Sequence, residues 1–217
     1  MNADEPLPTH ASLLERLKDA RDDASWEEFH RTYRGLLVGV ARRAGLNEHE
    51  AEEAVQETLI AVAKKMPEFR YEPGKDSFKG WLLRIVRWKI VDQARRRRRA
   101  ADSTVAEEPA SVAEKMASDG ELDSVVISAN VADPRQDFDT IWEAEWDRHL
   151  LAQALARVKR QAKPEQYAIY HLQVIEERPV AEVRRTLSVS AAAIYLAKHR
   201  VGALVKAEVR RLERELK

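Results

Sequence analysis

Residues 81–99 read WLLRIVRWKIVDQARRRRR, an apolar, tryptophan-bearing helix that runs without a break into five consecutive arginines. On a helix Trp81, Ile85 and Trp88 share one side, with Leu82, Val86 and Ile90 adjacent, while Arg84, Arg87, Lys89, Arg95 and Arg98 project elsewhere. A core helix with a solvated basic end explains one arginine. Five in a row, with three more cations just upstream, repel one another if unpaired, and point to a polyanion as partner. Trp88, among these cations, fits a core position or a stacking platform for a base.

Outward from this stretch the pattern stays helical. Ser25 and Glu28 read as a capping box, after which Trp26, Phe29, Tyr33, Leu37, Val40 and Ala44 recur at helical spacing up to a stop at Gly45. Asn47 caps the next helix, with Ala51, Val55, Leu59, Val62 and Met66 on one stripe and Glu52, Glu53, Gln56 and Glu57 opposite. FRYEPGKDSFKG, residues 69–80, is loop-like through Pro73 and Gly74, and Asp76 or Ser77 fits as the cap of the arginine-ended helix. A helical domain over 25–99 follows, preceded by a leader, 1–24, in which SLLERLKDARDD reads as a short helix.

Residues 100–140 break the pattern: they are rich in Ala, Ser, Asp and Glu, lack a sustained apolar stripe, and read as an acidic linker. The segment 141–217 is helical again. Trp142, Trp146, Leu150, Ala154 and Val158 make a stripe, and Pro164 opens a helix with Tyr167, Tyr170 and Val174. Pro179 opens a short helix with Val180, Val183 and Leu187; the turn SVS follows with Ser190 as N-cap, and Ile194, Val201, Leu204 and Glu208 continue at helical spacing. Short helix, tight turn and longer helix describe a helix-turn-helix, whose second helix fits a major groove; helical hairpins that read no DNA share the pattern.

Composition bounds these readings. The chain has 217 residues, 44% apolar and 34% charged, with few glycines and aromatics, a mixture that fits an all-α protein. It has no cysteine, which excludes disulfides and thiolate metal sites and fits a reducing cytosol. No apolar run is long enough for a membrane span, and the N-terminus lacks a signal-peptide pattern, so a cytoplasmic location without membrane contact is expected. The net charge of zero conceals segregation: 84–99 holds eight cations and one acid, 101–147 two cations and thirteen acids, and 148–217 fifteen cations and seven acids. Catalytic signatures are weak. Glu27 and His30 make a single ExxH where a bundle di-metal site needs two, Gly74–Lys75 lacks the rest of a phosphate loop, and no nucleophile has an adjacent His and acid. No enzyme activity, metal or cofactor is expected.

GWLLRIVRWKIVDQARRRRR resembles the second conserved region of bacterial sigma factors, in the extracytoplasmic-function (ECF) group of the sigma-70 family. AEEAVQETLIAVAKKM is similar to the preceding helix of that region, and the block from Tyr167 to Leu212, with VSAAAIYLAKHRV, to the fourth region. The resemblance covers 25–99 and 142–212 in the expected order. It implies a sigma factor that binds core RNA polymerase and directs promoter recognition, DNA melting and transcription initiation. Partners so implied are the beta-prime clamp helices and beta flap of polymerase, promoter DNA and an anti-sigma factor.

The implied site residues fall in three groups. Glu52, Glu53, Gln56, Glu57 and Ile60 match positions that dock on core polymerase. Phe69, Arg70, Lys75, Ser77, Lys79, Arg84, Arg87, Trp88, Lys89, Asp92, Arg95, Arg96 and Arg98 match the segment that captures a flipped base of the minus-ten element and melts the duplex. Ser190, Ala191, Ala192, Ala193, Tyr195, Lys198, His199 and Arg200 match the recognition helix for the minus-thirty-five element. Three positions depart from the family: Trp88 stands where Asn is common, Ser188 where Gly is usual, and the recognition helix opens on alanines, which offer methyl contacts to thymine but no bidentate donors. Base reading then falls to Tyr195, Lys198, His199 and Arg200, or the DNA is read by shape. The linker's excess acid suits a positively charged channel and, in the free protein, a fold-back onto the basic blocks. A helix-turn-helix regulator that binds DNA without core polymerase is the alternative, and it has no need of the first domain's motifs.

Overall fold

A computed structural model describes residues 10–70, 77–102 and 134–216. Among them every regular element is helical: α1 (His10–Arg16), α2 (Asp23–Arg43), α3 (Glu48–Lys65), α4 (Phe78–Asp102), α5 (Pro134–Gln161), α6 (Pro164–Tyr170), α7 (Val180–Leu187) and α8 (Ala191–Glu215). A 3-10 turn, Met66–Glu68, follows α3, and a π-turn, His171–Ile175, follows α6. The chain divides into two compact units, Leu14–Glu145 and Trp146–Lys217 with the first residues up to Leu13.

In the first unit α3 packs on both α2 and α4. The helix ends are set locally. Asn47 and Glu50 form a complete capping box at the start of α3, and Gly45, at φ +92, ends α2 in the left-handed conformation that glycine adopts without strain. The start of α2 differs from expectation. Asp22, rather than Ser25, is the cap, and the Ser25 backbone N–H donates to Asp22 Oδ1 at 3.1 Å. Ser25 is buried, its hydroxyl donating to Asp22 Oδ2 and accepting from Arg16 Nε. A carboxylate accepts from an N–H better than a hydroxyl does, so the helix begins earlier by about a turn.

The core of this unit is aromatic at one end. Phe29 and Tyr33 from α2 meet Phe78 from α4, and Phe69 lies 4.8 Å from the Trp81 ring. From α4 the fully inward residues are Leu82, Ile85, Val86 and Ile90, while Trp81 and Trp88 are half-buried at the edge of that face. The inward stripe therefore centres on Leu82 and Val86 rather than on the tryptophans.

The expected linker, 100–140, differs at both ends: α4 runs to Asp102, and 134–140 are the first turns of α5. Residues 103–133 lie outside the described residues. Of α5, residues up to Glu145 belong to the first unit.

In the second unit Trp146, Leu150, Ala154 and Val158 are buried along α5. Ile169, Val183, Ile194 and Ala197 form a core joining α6, α7 and α8. Leu204 is exposed and Val205 takes the inward place. Glu208 is buried because Arg157 meets it: their side chains are under a tenth exposed and pair at 2.8 Å.

Candidate nucleic-acid and polymerase interface

The inward stripe of α3, Ala51, Ala54, Val55, Thr58 and Val62, leaves Glu52, Glu53, Gln56 and Ile60 on the outward side. Ile60 is 56% exposed, a large apolar side chain left in water beside acids. Glu52 pairs with Arg34, and Glu53 accepts from Gln93 and stands 3.4 Å from His49. Gln56 is exposed and makes no side-chain hydrogen bond among the described residues. Glu57 belongs to the seam with α4 instead. Lys89 Nζ reaches it at 3.3 Å and Arg96 Nη1 at 2.5 Å. Partial burial pushes the Glu57 carboxyl up, and the hydrogen bonds from Arg96 and Lys89 outweigh it, leaving its pKa below the ordinary value.

The arginine run divides by helical phase. Arg96 pairs with Glu57 and, at 2.7 Å, with Asp92; Arg97 donates to the Gly45 carbonyl at 3.0 Å and pairs with Glu50 at 3.2 Å. Hydrogen bonding to Glu57 above all raises the Arg96 pKa. These two fasten α4 to α3 and to the turn before it. Arg95, Arg98 and Arg99 are exposed and make no ion pair among the described residues. Of the run expected to await a polyanion, Arg96 and Arg97 thus have their charges matched within the first unit.

Upstream on α4, Arg84 is exposed, and Trp88 is half-buried with Lys89 Nζ 4.3 Å from its ring centroid. Arg87 is ion-paired with Asp139 of α5 and lies 5.0 Å over the Phe138 ring. Lys79 pairs with Glu143. At the root of the 69–80 segment, Phe69 is 8% exposed and packed on Phe78 and Trp81. Arg70 is exposed, its Nη1 donating to the carbonyls of Pro67 and Phe69. Ser77 caps α4 by accepting from Gly80 N–H at 3.1 Å. Lys75 lies outside the described residues.

In the second unit Ser190 caps α8, accepting from Ala193 N–H at 3.1 Å. The alanines straddle the helix face: Ala192 is exposed, Ala191 and Ala193 half-buried. Tyr195, Lys198, His199 and Arg200 are all exposed, Tyr195 at 62%. Leu196, which the sequence reading passed over, is 48% exposed one turn beyond Ala192. Tyr170 and Val174 face Tyr195 and Gly202 across a groove between α8 and the α6–π-turn segment. A π-turn inside a helix often marks such a surface.

The sequence reading also missed the acids of α5. Asp139, Glu143 and Glu145 fell in or just past the expected linker, yet each meets a cation of the first unit, Glu145 standing 2.5 Å from Arg43 Nε. Among the described residues no three His, Asp or Glu side chains converge to hold a metal ion, and no helix is long and apolar enough to cross a membrane.

Comparison with known proteins converges on the first unit. Residues 29–100 match the Sigma-70 region 2 family. Over 92 residues the chain is 35% identical to the ECF RNA polymerase sigma factor SigE of Mycolicibacterium smegmatis; the match covers 42% of this chain and 34% of that relative, about a third of its length. A solved structure of CnrH in complex with the cytosolic domain of CnrY aligns with 93% of this chain and 97% of that one, at 17% identity and a TM-score of 0.34, too low to support a statement about fold. Over residues 29–100 the chain is thus similar to the sigma-70 region 2 domain, and that likeness covers about a third of its length.

Proposed function

We propose that the protein is a sigma factor that binds core RNA polymerase and directs promoter recognition, melting and initiation, without catalysing a reaction itself. The observation that carries this is the pairing of two surfaces within 29–100: an outward α3 face of Glu52, Glu53, Gln56 and exposed Ile60, and an α4 end whose exposed Arg95, Arg98 and Arg99 make no ion pair among the described residues. An exposed isoleucine ringed by charge fits a protein partner, and unmatched arginines fit phosphate.

In this reading α3 docks on the beta-prime clamp helices. The exposed cations of α4, with Arg70, Arg84 and Trp88, take the minus-ten element and hold the displaced strand. Opening DNA costs a few kcal/mol per unstacked step, so cations and a stacking surface must offset it. The Ser190-capped α8 reads the minus-thirty-five element with Tyr195, Lys198, His199 and Arg200, and the beta flap binds the same unit. An anti-sigma factor is the regulatory partner such a protein takes, and the cytoplasm is where it works. Gel filtration of the full chain with bacterial core polymerase tests the first step. Co-elution is expected; duplex DNA bound by the chain alone, with no co-elution, would favour the free-standing helix-turn-helix regulator.

A further inference from the structure

Two cations of the expected minus-ten surface are covered from within the first unit. Asp139 and Glu143, four residues apart on α5, share one face and pair with Arg87 and Lys79 of α4. The cations are the more deeply covered partners: the Arg87 and Lys79 side chains are 26% and 27% exposed, those of Asp139 and Glu143 54% and 59%. Phe138, fully buried, sits under the Arg87 guanidinium. Glu145 completes the seat. Its carboxylate lies against Gly39 of α2, where an added Cβ would stand 2.6 Å from Oε2, and it meets Arg43. Gly39 is thus a notch that admits the Glu145 carboxylate.

We propose that the first turns of α5 are an intramolecular clamp that competes with DNA for Arg87 and Lys79. A carboxylate offers a guanidinium or ammonium the same oxygen acceptors as a phosphate, so one cation cannot serve both at once. Asp137 and Asp139 near the positive end of the α5 dipole favour helix there whether or not α4 is engaged. Exposed ion pairs are individually weak, which makes the clamp displaceable by a polyanion that also engages Arg95, Arg98 and Arg99. The clamp rests on the reading of α4 as a DNA surface.

The test is Asp139→Asn with Glu143→Gln in the full chain, measured by fluorescence anisotropy with a labelled A·T-rich single-stranded oligonucleotide at low salt. The charge-matched control, Asp147→Asn with Glu213→Gln, removes two exposed acids that pair with nothing among the described residues. The clamp variant is expected to bind roughly tenfold tighter than the parent, and the control to stay within about twofold. Equal gains in both variants, or none in the clamp variant, would overturn the clamp, as would failure of every variant to bind DNA. Co-elution with core polymerase separates the two readings: its loss in the parent counts against the sigma reading, whereas unchanged DNA binding with co-elution intact defeats the clamp alone.

Discussion

Ser188 adopts φ 54, ψ 39 in the turn between α7 and α8, the left-handed region that costs a side-chain-bearing residue roughly 1–2 kcal/mol. Glycine removes that strain and gives part of it back as unfolded-state entropy. Ser188→Gly is therefore expected to stabilise the second unit by roughly 0.5–1 kcal/mol, read as a higher denaturant midpoint at unchanged slope. The opposite sign is expected at Glu208. Its removal as Glu208→Ala leaves Arg157 buried, with Glu215 3.7 Å away as a poorer partner, and should cost about 3 kcal/mol in the same measurement. Ser188 was legible as a departure at a position that suits glycine, whereas the burial of Glu208 was not. Glu208 read as one more stripe position because nothing local announces an arginine fifty-one residues upstream.

At the scale of elements, helix ends and apolar faces were legible because they are decided within a few residues. Asn47 with Glu50, Gly45, Ser77, Pro164 and Ser190 all act where their chemistry places them. What escaped is pairing between elements. The arginine run looks uniform in sequence, but its side chains point in different directions around α4, and only the fold shows that Arg96 and Arg97 face α3 while Arg95, Arg98 and Arg99 face water. The first turns of α5 were read as linker because their acids hid the helix start at Pro134. Arg96→Ala and Arg97→Ala should lower the thermal midpoint and change DNA binding less. Arg98→Ala and Arg99→Ala should leave the midpoint in place and reduce the salt slope of DNA binding by about 1 each.

The α3–α4 seam also carries a pH signature. Glu57 has its folded pKa below the ordinary 4.5, so the stability it contributes is complete above that value. It is lost as pH falls through the folded pKa. Acid titration of the melting temperature should show this loss in the parent and a shallower acid limb in Glu57→Gln.

For the whole molecule, the account assigns polymerase binding and DNA binding to separate surfaces of one domain, so they should fail separately. Ile60→Asp places a charge where α3 presents its exposed apolar side chain and should abolish co-elution with core polymerase, with the thermal midpoint within a few degrees of the parent because Ile60 is 56% exposed. The all-helical fold class was readable from periodicity, and the likeness to region 2 from the motif itself. A target sequence for α8 was not, since Ala191, Ala192 and Ala193 offer no donor pattern that specifies a base. The most direct measurement is run-off transcription by bacterial core polymerase reconstituted with the full chain on a promoter library. Initiation dependent on the chain, from templates sharing upstream elements, is the predicted result; transcription no different from core polymerase alone, despite a folded protein, would contradict the sigma reading.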